Sequence, residues 1–333
     1  MALDMKIVAV MAFNFFSSIG IIFTNKIIFK SFGFKFATFY TALHFAGTAI
    51  GLRVCRACGV YEHKKMNHMK VLPMSLAFCL HIVFNNLSLQ YNSVGFYQLM
   101  KVLMSPLTAM VQTFFFGVPI AASLQMALAV TCCGVGIATV NDMNVNALGT
   151  FYACLGLLGG VFYQLWVKTK QKALGGNSFQ VLEYQAPQSA LLVLLMTPVF
   201  DQVQGPHGLL AALRGANVHL IAALAVACAV AFCVNLSLFM VIGRTSPLSY
   251  QVLGHGKLVF VLLGGILFFG GDTNSKRLFG MFLTFCGVVW YGHLKLTQAS
   301  SKENWDQAKN VGGDEAAAKS EGDGAEVQMV SKA

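Results

Sequence analysis

The stretch N-L-S-L-Q-Y-N-S-V-G-F-Y-Q-L-M-K (86–101) resembles a later stretch of the same chain, N-L-S-L-F-M-V-I-G-R-T-S-P-L-S-Y-Q-V-L-G-H-G-K (235–257). Both stretches begin with N-L-S-L, continue to Y-Q and reach a lysine, although the gaps between these parts differ by a few residues. The two copies begin 149 residues apart. That separation predicts two structural halves of similar length, with related helices at corresponding places.

The composition is that of a membrane protein. Hydrophobic residues make up 56% of the 333 residues, charged residues only 11%, and the mean hydropathy is +0.65. A soluble domain has about 25% charged residues and needs polar faces on its helices. Spans of about 20 residues, joined by short loops, would fit roughly ten times into this length. We therefore predict an all-α integral membrane protein, with the lipid bilayer as its surroundings.

Apolar runs separated by polar breaks give ten predicted transmembrane helices. They cover residues 6–29, 36–55, 70–90, 94–117, 120–140, 146–168, 179–200, 217–243, 246–270 and 276–297. Two halves, about 1–143 and 144–299, would each hold five of these helices. Because five is an odd number, the second half enters the membrane in the opposite orientation. The predicted fold is therefore one transmembrane domain, 1–299, built from two inverted five-helix repeats.

Charged residues are unevenly placed along the chain. Residues 1–299 hold 19 basic and six acidic residues, whereas residues 300–333 hold four basic and seven acidic ones. Loops on one side of the predicted bundle hold eleven basic residues and those on the other side six. The positive-inside rule then places both termini in the cytosol, with 300–333 as a disordered cytosolic tail. A basic membrane body suits an anionic partner, although loop lysines that fix topology explain the same charge.

Lys101 and Lys257 are the first candidate site residues, because each lies well inside an apolar span. A lysine near the bilayer centre costs about 2.5–3.5 kcal/mol on insertion scales, so such a residue usually faces a cavity. Tyr97 lies four residues before Lys101 and Tyr250 seven before Lys257, so each pair shares a helix face. An aromatic ring beside a cation suits a ligand with a planar base and phosphates. Alternatively, the tyrosines pack and the lysines pair with a carboxylate, for which Glu183 is the main candidate.

Four further polar residues complete the candidate site. Lys26, at the end of the first span, could supply a third cation or anchor the helix at the membrane interface. His255 lies two residues before Lys257 and is either a site residue or a packing histidine. Asn86 and Asn235 could bind the ligand, although hydrogen bonds between helices explain these amides equally well.

Motifs of catalysis are missing from the chain. It contains no G-x-S-x-G, H-E-x-x-H or P-loop pattern and no pair of carboxylates within the predicted spans. Cys55 and Cys58, with His63 and His68 nearby, lack the paired spacing of a good zinc motif. We therefore expect no enzyme activity, no cofactor, no metal ion and no nucleic-acid partner. Exchange of one anion for another, which needs no titrating carboxylate, is favoured over proton coupling.

Five stretches, in the same order over residues 7–297, resemble a known family. They are N-L-S-L-Q-Y-N-S-V-G-F-Y-Q-L-M-K-V-L-M-S-P (86–106), Y-Q-L-W-V-K-T-K-Q (163–171), Y-Q-A-P-Q-S (184–189), the stretch 235–257 quoted above and G-V-V-W-Y-G-H-L-K-L (287–296). They resemble the triose-phosphate-translocator-like branch of the drug/metabolite transporter superfamily. Within it they are most similar to the E subfamily of solute carrier family 35 and to the plant UDP-rhamnose/UDP-galactose transporters.

The resemblance implies a ten-helix drug/metabolite transporter fold with a central site and alternating access. Such relatives import a cytosolic nucleotide sugar into the Golgi or endoplasmic reticulum and export the nucleoside monophosphate. In the related plastid phosphate translocators, the lysines that match Lys26, Lys101 and Lys257 line the anion site, and an arginine follows the last of them. Here Leu258 follows Lys257, which favours a ligand larger than triose phosphate.

These observations together predict a nucleotide-sugar antiporter of the Golgi membrane or, alternatively, the endoplasmic reticulum. It would exchange a UDP-sugar of the galactose, rhamnose or glucose type for UMP. An organic-phosphate antiporter of the plastid type and a non-transporting membrane scaffold are the alternative functions. The sequence leaves the oligomeric state open, with a homodimer as one alternative.

Overall fold

The computed structural model describes residues 5–92, 94–117, 119–139, 146–269, 275–276, 278–294 and 297–298. Side chains are described for the same residues except 26, 30, 89, 90, 94–99, 138, 139 and 261–269. The predicted tail, 300–333, lies outside the described residues. The part of the chain that the structure describes is helical and contains no strand, so the all-α prediction is confirmed.

Long helices follow one another along the chain with short connections. They are α1 (Met5–Lys30), α2 (Ala37–Ala57), α3 (His68–Tyr91), α4 (Val94–Phe116), α5 (Ala122–Thr139), α6 (Ala147–Ala173), α7 (Ser178–Phe200), the short α8 (Leu209–Arg214), α9 (Val218–Arg244), α10 (Pro247–Phe269) and α11 (Leu278–Leu294). Among the described residues, four helices are long and apolar enough to cross a membrane, namely α1, α3, α6 and α9. Ten transmembrane helices therefore stay a prediction, although each predicted span coincides with one long helix.

Asparagine side chains set where four of these helices begin. Asn67, Asn146, Asn177 and Asn217 precede α3, α6, α7 and α9, and each side chain accepts a hydrogen bond from a backbone N–H of the first turn. The first N–H groups of a helix have no partner within the helix, and a side-chain oxygen at the N-cap supplies one. At α7 the cap is reciprocal, because the Gln180 side chain also binds the backbone N–H of Asn177.

The chain divides into two compact units, Ala2–Val288 and Val289–Ala333. In the second unit, the described residues 289–294 and 297–298 are helical. Within the first unit, α3 packs along α6, α1 packs along α9, and α2 packs against α7 and α9. Glycines allow the close approach of α3 and α6, since a Cβ atom on Gly159 would lie 3.0 Å from the carbonyl oxygen of Ala77.

Helices α5 and α11 cross at two reciprocal glycine contacts. Gly134 of α5 lies against Thr284 of α11, and Gly287 of α11 lies against Thr131 of α5. A Cβ atom on Gly134 would lie 2.7 Å from Thr284 Oγ1, and one on Gly287 would lie 2.7 Å from the backbone nitrogen of Thr131. Both helices carry the sequence Thr-x-Cys-Gly-Val at this crossing. This is a second internal sequence similarity, which we did not predict from the sequence.

Helices α2 and α7 are joined near both of their ends. At one end, Arg56 Nη1 lies 2.6 Å from Glu183 Oε1. At the other end, the Asp201 carboxylate accepts hydrogen bonds from the backbone N–H groups of Thr38 at 3.3 Å and Phe39 at 2.7 Å. Those two amides belong to the first turn of α2, so Asp201 caps a helix from the end of another one.

Candidate functional site

Lys257 lies near the middle of α10, and only 9% of it is exposed. Its Nζ donates a hydrogen bond to Asn14 Oδ1 at 2.7 Å and another to Ser18 Oγ at 3.0 Å. The two acceptors are four residues apart on α1 and therefore lie on the same face of that helix. The ammonium group is held inside the helical unit by neutral oxygen atoms.

Asn14 connects this lysine to a third helix. It is fully buried, and its Nδ2 donates a hydrogen bond at 2.8 Å to Oγ of Ser237. Ser237 belongs to the second N-L-S-L motif, on α9. A continuous chain of hydrogen bonds therefore runs from α10 through α1 to α9. We did not predict Asn14 or Ser18; their only signal is a polar pair at helical spacing within the apolar run of the first span.

The Tyr250 ring lies beside Lys257, as their spacing on one helix face predicts. Nζ of Lys257 is 5.3 Å from the centre of the ring, which is within the range of a cation–π contact. Tyr250 also packs against the hydrophobic core of the unit. The side chain of Tyr97 lies outside the described residues, so the corresponding pair of Tyr97 and Lys101 stays a prediction.

Lys101 lies on α4 and is exposed. It interacts electrostatically with His81 of α3. The Nδ1 atom of His81 is 2.7 Å from the carbonyl oxygen of Gly156 on α6 and 2.9 Å from Nδ2 of Asn85. We did not single out His81 from the sequence, because a lone histidine in an apolar run is usually a packing residue. The convergence of Lys101 and Lys257 on one chamber stays a prediction.

Two polar residues of α10 bind neighbouring helices. His255 Nε2 lies 2.8 Å from Ser105 Oγ on α4, and both residues are buried. Gln251 Nε2 donates to Thr108 Oγ1 on α4 at 2.7 Å and to Gln164 Oε1 on α6 at 2.8 Å. In this conformation His255 therefore joins two helices, which was the alternative to a role in ligand contact.

The remaining predicted residues take separate positions. Asn235 Nδ2 donates to Thr48 Oγ1 on α2 at 2.9 Å, which is a hydrogen bond between helices. Asn86 is half-buried on α3. Lys26 lies on α1, and its side chain is outside the described residues. The structure therefore brings Lys257 and Tyr250 together. In its described part it gives no contact of Asn235, Asn86 or Lys26 with either of these two residues.

The acidic residue that could have neutralised the lysines is engaged elsewhere. Oε1 of Glu183 is 2.6 Å from Arg56, and its Oε2 is 3.1 Å from Nδ1 of His63. Among the residues with described side chains, no carboxylate forms an ion pair with Lys257. The site is therefore a buried positive charge with neutral partners, and such a charge attracts an anion.

A cavity of about 610 Å³ lies where the α1–α2 connection meets the segment that joins α7 to α8. Its lining includes Lys35, Asp201 and His207. None of its lining residues belongs to the predicted site.

Comparison with known proteins assigns the family. The sequence profile of the Triose-phosphate Transporter family matches residues 5–292, which is most of the chain. The protein belongs to the Triose-phosphate Transporter family and is a transporter, not an enzyme. This result confirms the resemblance that the five motifs indicated.

Similar proteins of known name come from a plant. The chain is 35% identical over 282 residues to UDP-rhamnose/UDP-galactose transporter 1 of Arabidopsis thaliana, an alignment that covers 84% of this chain and 81% of the relative. It is 32% identical over 286 residues to UDP-xylose transporter 2 of the same plant, covering 86% and 80%. A solved crystal structure matches this chain with a TM-score of 0.64 at 17% sequence identity. The match covers 86% of this chain and 96% of the other. That last match shows a shared fold.

Proposed function

We propose that the protein is a nucleotide-sugar antiporter that exchanges a UDP-sugar for UMP by alternating access. The observation that carries this proposal is the buried ammonium group of Lys257, whose hydrogen-bond partners among the described side chains are neutral, so that it can bind a phosphate group as a point charge. The names of the relatives support the UDP-sugar, because they transport UDP-rhamnose, UDP-galactose or UDP-xylose.

The proposed site extends beyond Lys257 and Tyr250. Lys101 and Lys26 would contribute further cations, and Tyr97 would correspond to Tyr250 in the first half. The amides of Asn86 and Asn235 and the ring of His255 would contact the ligand in a conformation other than the present one, in which Asn235 and His255 bind neighbouring helices.

An inverted repeat of two five-helix halves would place such a site at its centre. The packing of the helices supports this arrangement, because several contacts between helices have a counterpart related by the exchange of the two halves. The pair α3 and α6 corresponds to α9 and α1, and the pair α4 and α6 corresponds to α10 and α1. The reciprocal contact between α5 and α11 fits the same symmetry, since each helix plays the same part. Both termini would then lie in the cytosol, with the carrier in the Golgi or endoplasmic reticulum membrane.

The test is transport by purified protein in liposomes. Vesicles are loaded with UMP, with inorganic phosphate or with buffer, and uptake of UDP-rhamnose, UDP-galactose, UDP-xylose and UDP-glucose is measured. We expect uptake of at least one UDP-sugar that depends on internal UMP and is lost in Lys257→Ala, while Lys65→Ala, a loop lysine that is exposed, keeps it.

Two results would contradict the proposal. Uptake of phosphate or triose phosphate driven by internal phosphate, without any UDP-sugar uptake, would identify a plastid-type carrier. Unchanged exchange in Lys257→Ala would remove the residue on which the proposal rests.

A further inference from the structure

Among the residues with described side chains, the hydrogen-bond acceptors of Lys257 belong to one helix, α1, and both are uncharged. An ammonium group has three N–H donors, and Asn14 Oδ1 and Ser18 Oγ take two of them. Both distances, 2.7 and 3.0 Å, are those of good hydrogen bonds. A phosphate group that accepts from two of the three donors would therefore have to replace at least one of these oxygen atoms.

These acceptors are themselves fixed in place. Asn14 is fully buried and its other amide atom donates to Ser237, which in turn donates to the carbonyl oxygen of Val234. The Ser18 hydroxyl donates to the carbonyl oxygen of Asn14 at 2.6 Å. The side chains of Asn14, Ser18 and Ser237 therefore each have a hydrogen-bond partner, and together they link α1, α9 and α10.

We propose that Asn14 and Ser18 are positioning residues that hold the Lys257 ammonium group while the carrier is empty and release it to the phosphate of the substrate. This inference rests on the proposed function, because it supplies the state that precedes ligand binding at the same site. A neutral amide satisfies the hydrogen bonds of the lysine without neutralising its charge. A phosphate oxygen does both, so it displaces the amide.

The exchange of partners links the ligand to helix packing. When phosphate takes Lys257, Asn14 loses the contact that ties α1 to α10 and keeps the one that ties α1 to α9. Ligand binding therefore loosens one side of α1 selectively. Helix α1 would thus be bound to α10 without substrate and released from it by substrate. Such a helix can couple substrate binding to the conformational change of the carrier.

The test uses the near-isosteric change of Asn14→Asp, which places a carboxylate where the amide oxygen lies. A carboxylate forms an ion pair with Lys257 that phosphate must break. We therefore expect the affinity for UMP, measured by thermal stabilisation of the purified full chain, to fall by about tenfold or more. Asn14→Ala is expected to bind UMP at least as tightly as the wild type, because the competing acceptor is gone.

A double-mutant cycle on the empty carrier tests the contact itself. The Tm is measured for the wild type, Asn14→Asp, Lys257→Met and the double variant. We expect Asn14→Asp to raise the Tm when Lys257 is present and to lower it in the Lys257→Met background, where the carboxylate is buried without a cation. Asn217→Asp, which keeps the N-cap of α9, serves as a control without this coupling.

Each outcome bears on one of the two proposals. Equal Tm shifts from Asn14→Asp in both backgrounds would overturn the inference. So would a loss of UMP affinity in Asn14→Ala as large as that in Asn14→Asp, since Asn14 would then be a ligand contact. If UMP fails to stabilise the wild type, the proposed substrate is wrong, and the cycle without ligand still shows whether Asn14 and Lys257 are coupled.

Discussion

A lysine inside an apolar helix needs acceptors, and Lys257 takes them from a neighbouring helix. Two oxygen atoms and a tyrosine ring lie within 2.7 to 5.3 Å of its Nζ, which offsets part of the cost of removing the ammonium group from water. None of these groups carries a negative charge. These contacts therefore stabilise the buried ammonium group without neutralising its charge.

Gln251 lies on α10, like Lys257, and binds two neighbouring helices through its side chain. Loss of these hydrogen bonds should destabilise the fold. In Gln251→Leu, Thr108 and Gln164 lose a buried donor, which costs about 1–3 kcal/mol. The expected result is a lower Tm of the purified protein. Gln125→Leu, at an exposed position, should change stability by less than about 0.5 kcal/mol. Equal Tm values for the two variants would show that the network does not stabilise α10.

The sequence predicts which buried residues need polar partners, but it does not predict which residues those partners are. A charge in an apolar run costs free energy wherever it lies, so Lys257 stood out, and the helical spacing placed Tyr250 beside it. Asn14 did not stand out, because its partner lies 243 residues away and a lone amide in a span is common. The partner of a buried polar group depends on the packing of whole helices.

Small residues determine how closely the helices approach one another. Gly134 and Gly287 each face a threonine of the opposite helix at the crossing of α5 and α11. Because glycine has no side chain, its backbone lies directly against the threonine of the other helix, as is common between helices in membranes.

Gly134→Ala should separate α5 from α11. Its Cβ atom would lie 2.7 Å from Thr284 Oγ1 and 2.9 Å from the carbonyl oxygen of Gly280, so backbone as well as side chain must move. Overpacking of this kind costs about 1–3 kcal/mol, and the Tm should fall accordingly. Gly254→Ala is the matched control, because no described atom outside its chain neighbours and the backbone of its own helix lies within 4 Å of the point where its new Cβ atom would lie. A Tm for Gly134→Ala equal to or above that of the control would contradict the tight crossing.

The helices themselves were predictable, since hydropathy and length decide where a chain can cross a bilayer. The long helices match the predicted spans to within a few residues at most ends. The short α8 was missed, because its six residues are fewer than two turns and lie in a connection between spans.

At the scale of the whole molecule, the proposed topology follows from an odd number of helices in each half. The connection between α2 and α3 would then face the cytosol, and the connection between α7 and α9 would face the lumen. Basic residues are concentrated in the first of these connections, as the positive-inside rule requires.

Thiol labelling in sealed microsomes tests this topology. In a background without the exposed native cysteines, which include Cys58, Cys133, Cys154 and Cys286, a membrane-impermeant maleimide should label Lys65→Cys and should label His207→Cys only after detergent is added. Both positions are exposed, so reactivity reports the side of the membrane. Labelling of both positions in sealed vesicles would place them on one side and exclude the inverted arrangement.

In the proposed mechanism, the ammonium group of Lys257 binds the phosphate of the transported nucleotide. The most direct measurement is an experimental structure of the wild-type carrier in complex with UMP. We expect a phosphate oxygen about 2.8 Å from Nζ of Lys257, with Asn14 Oδ1 no longer in contact with it. A complex in which UMP lies elsewhere, while Lys257 still donates to Asn14 and Ser18, would contradict the account.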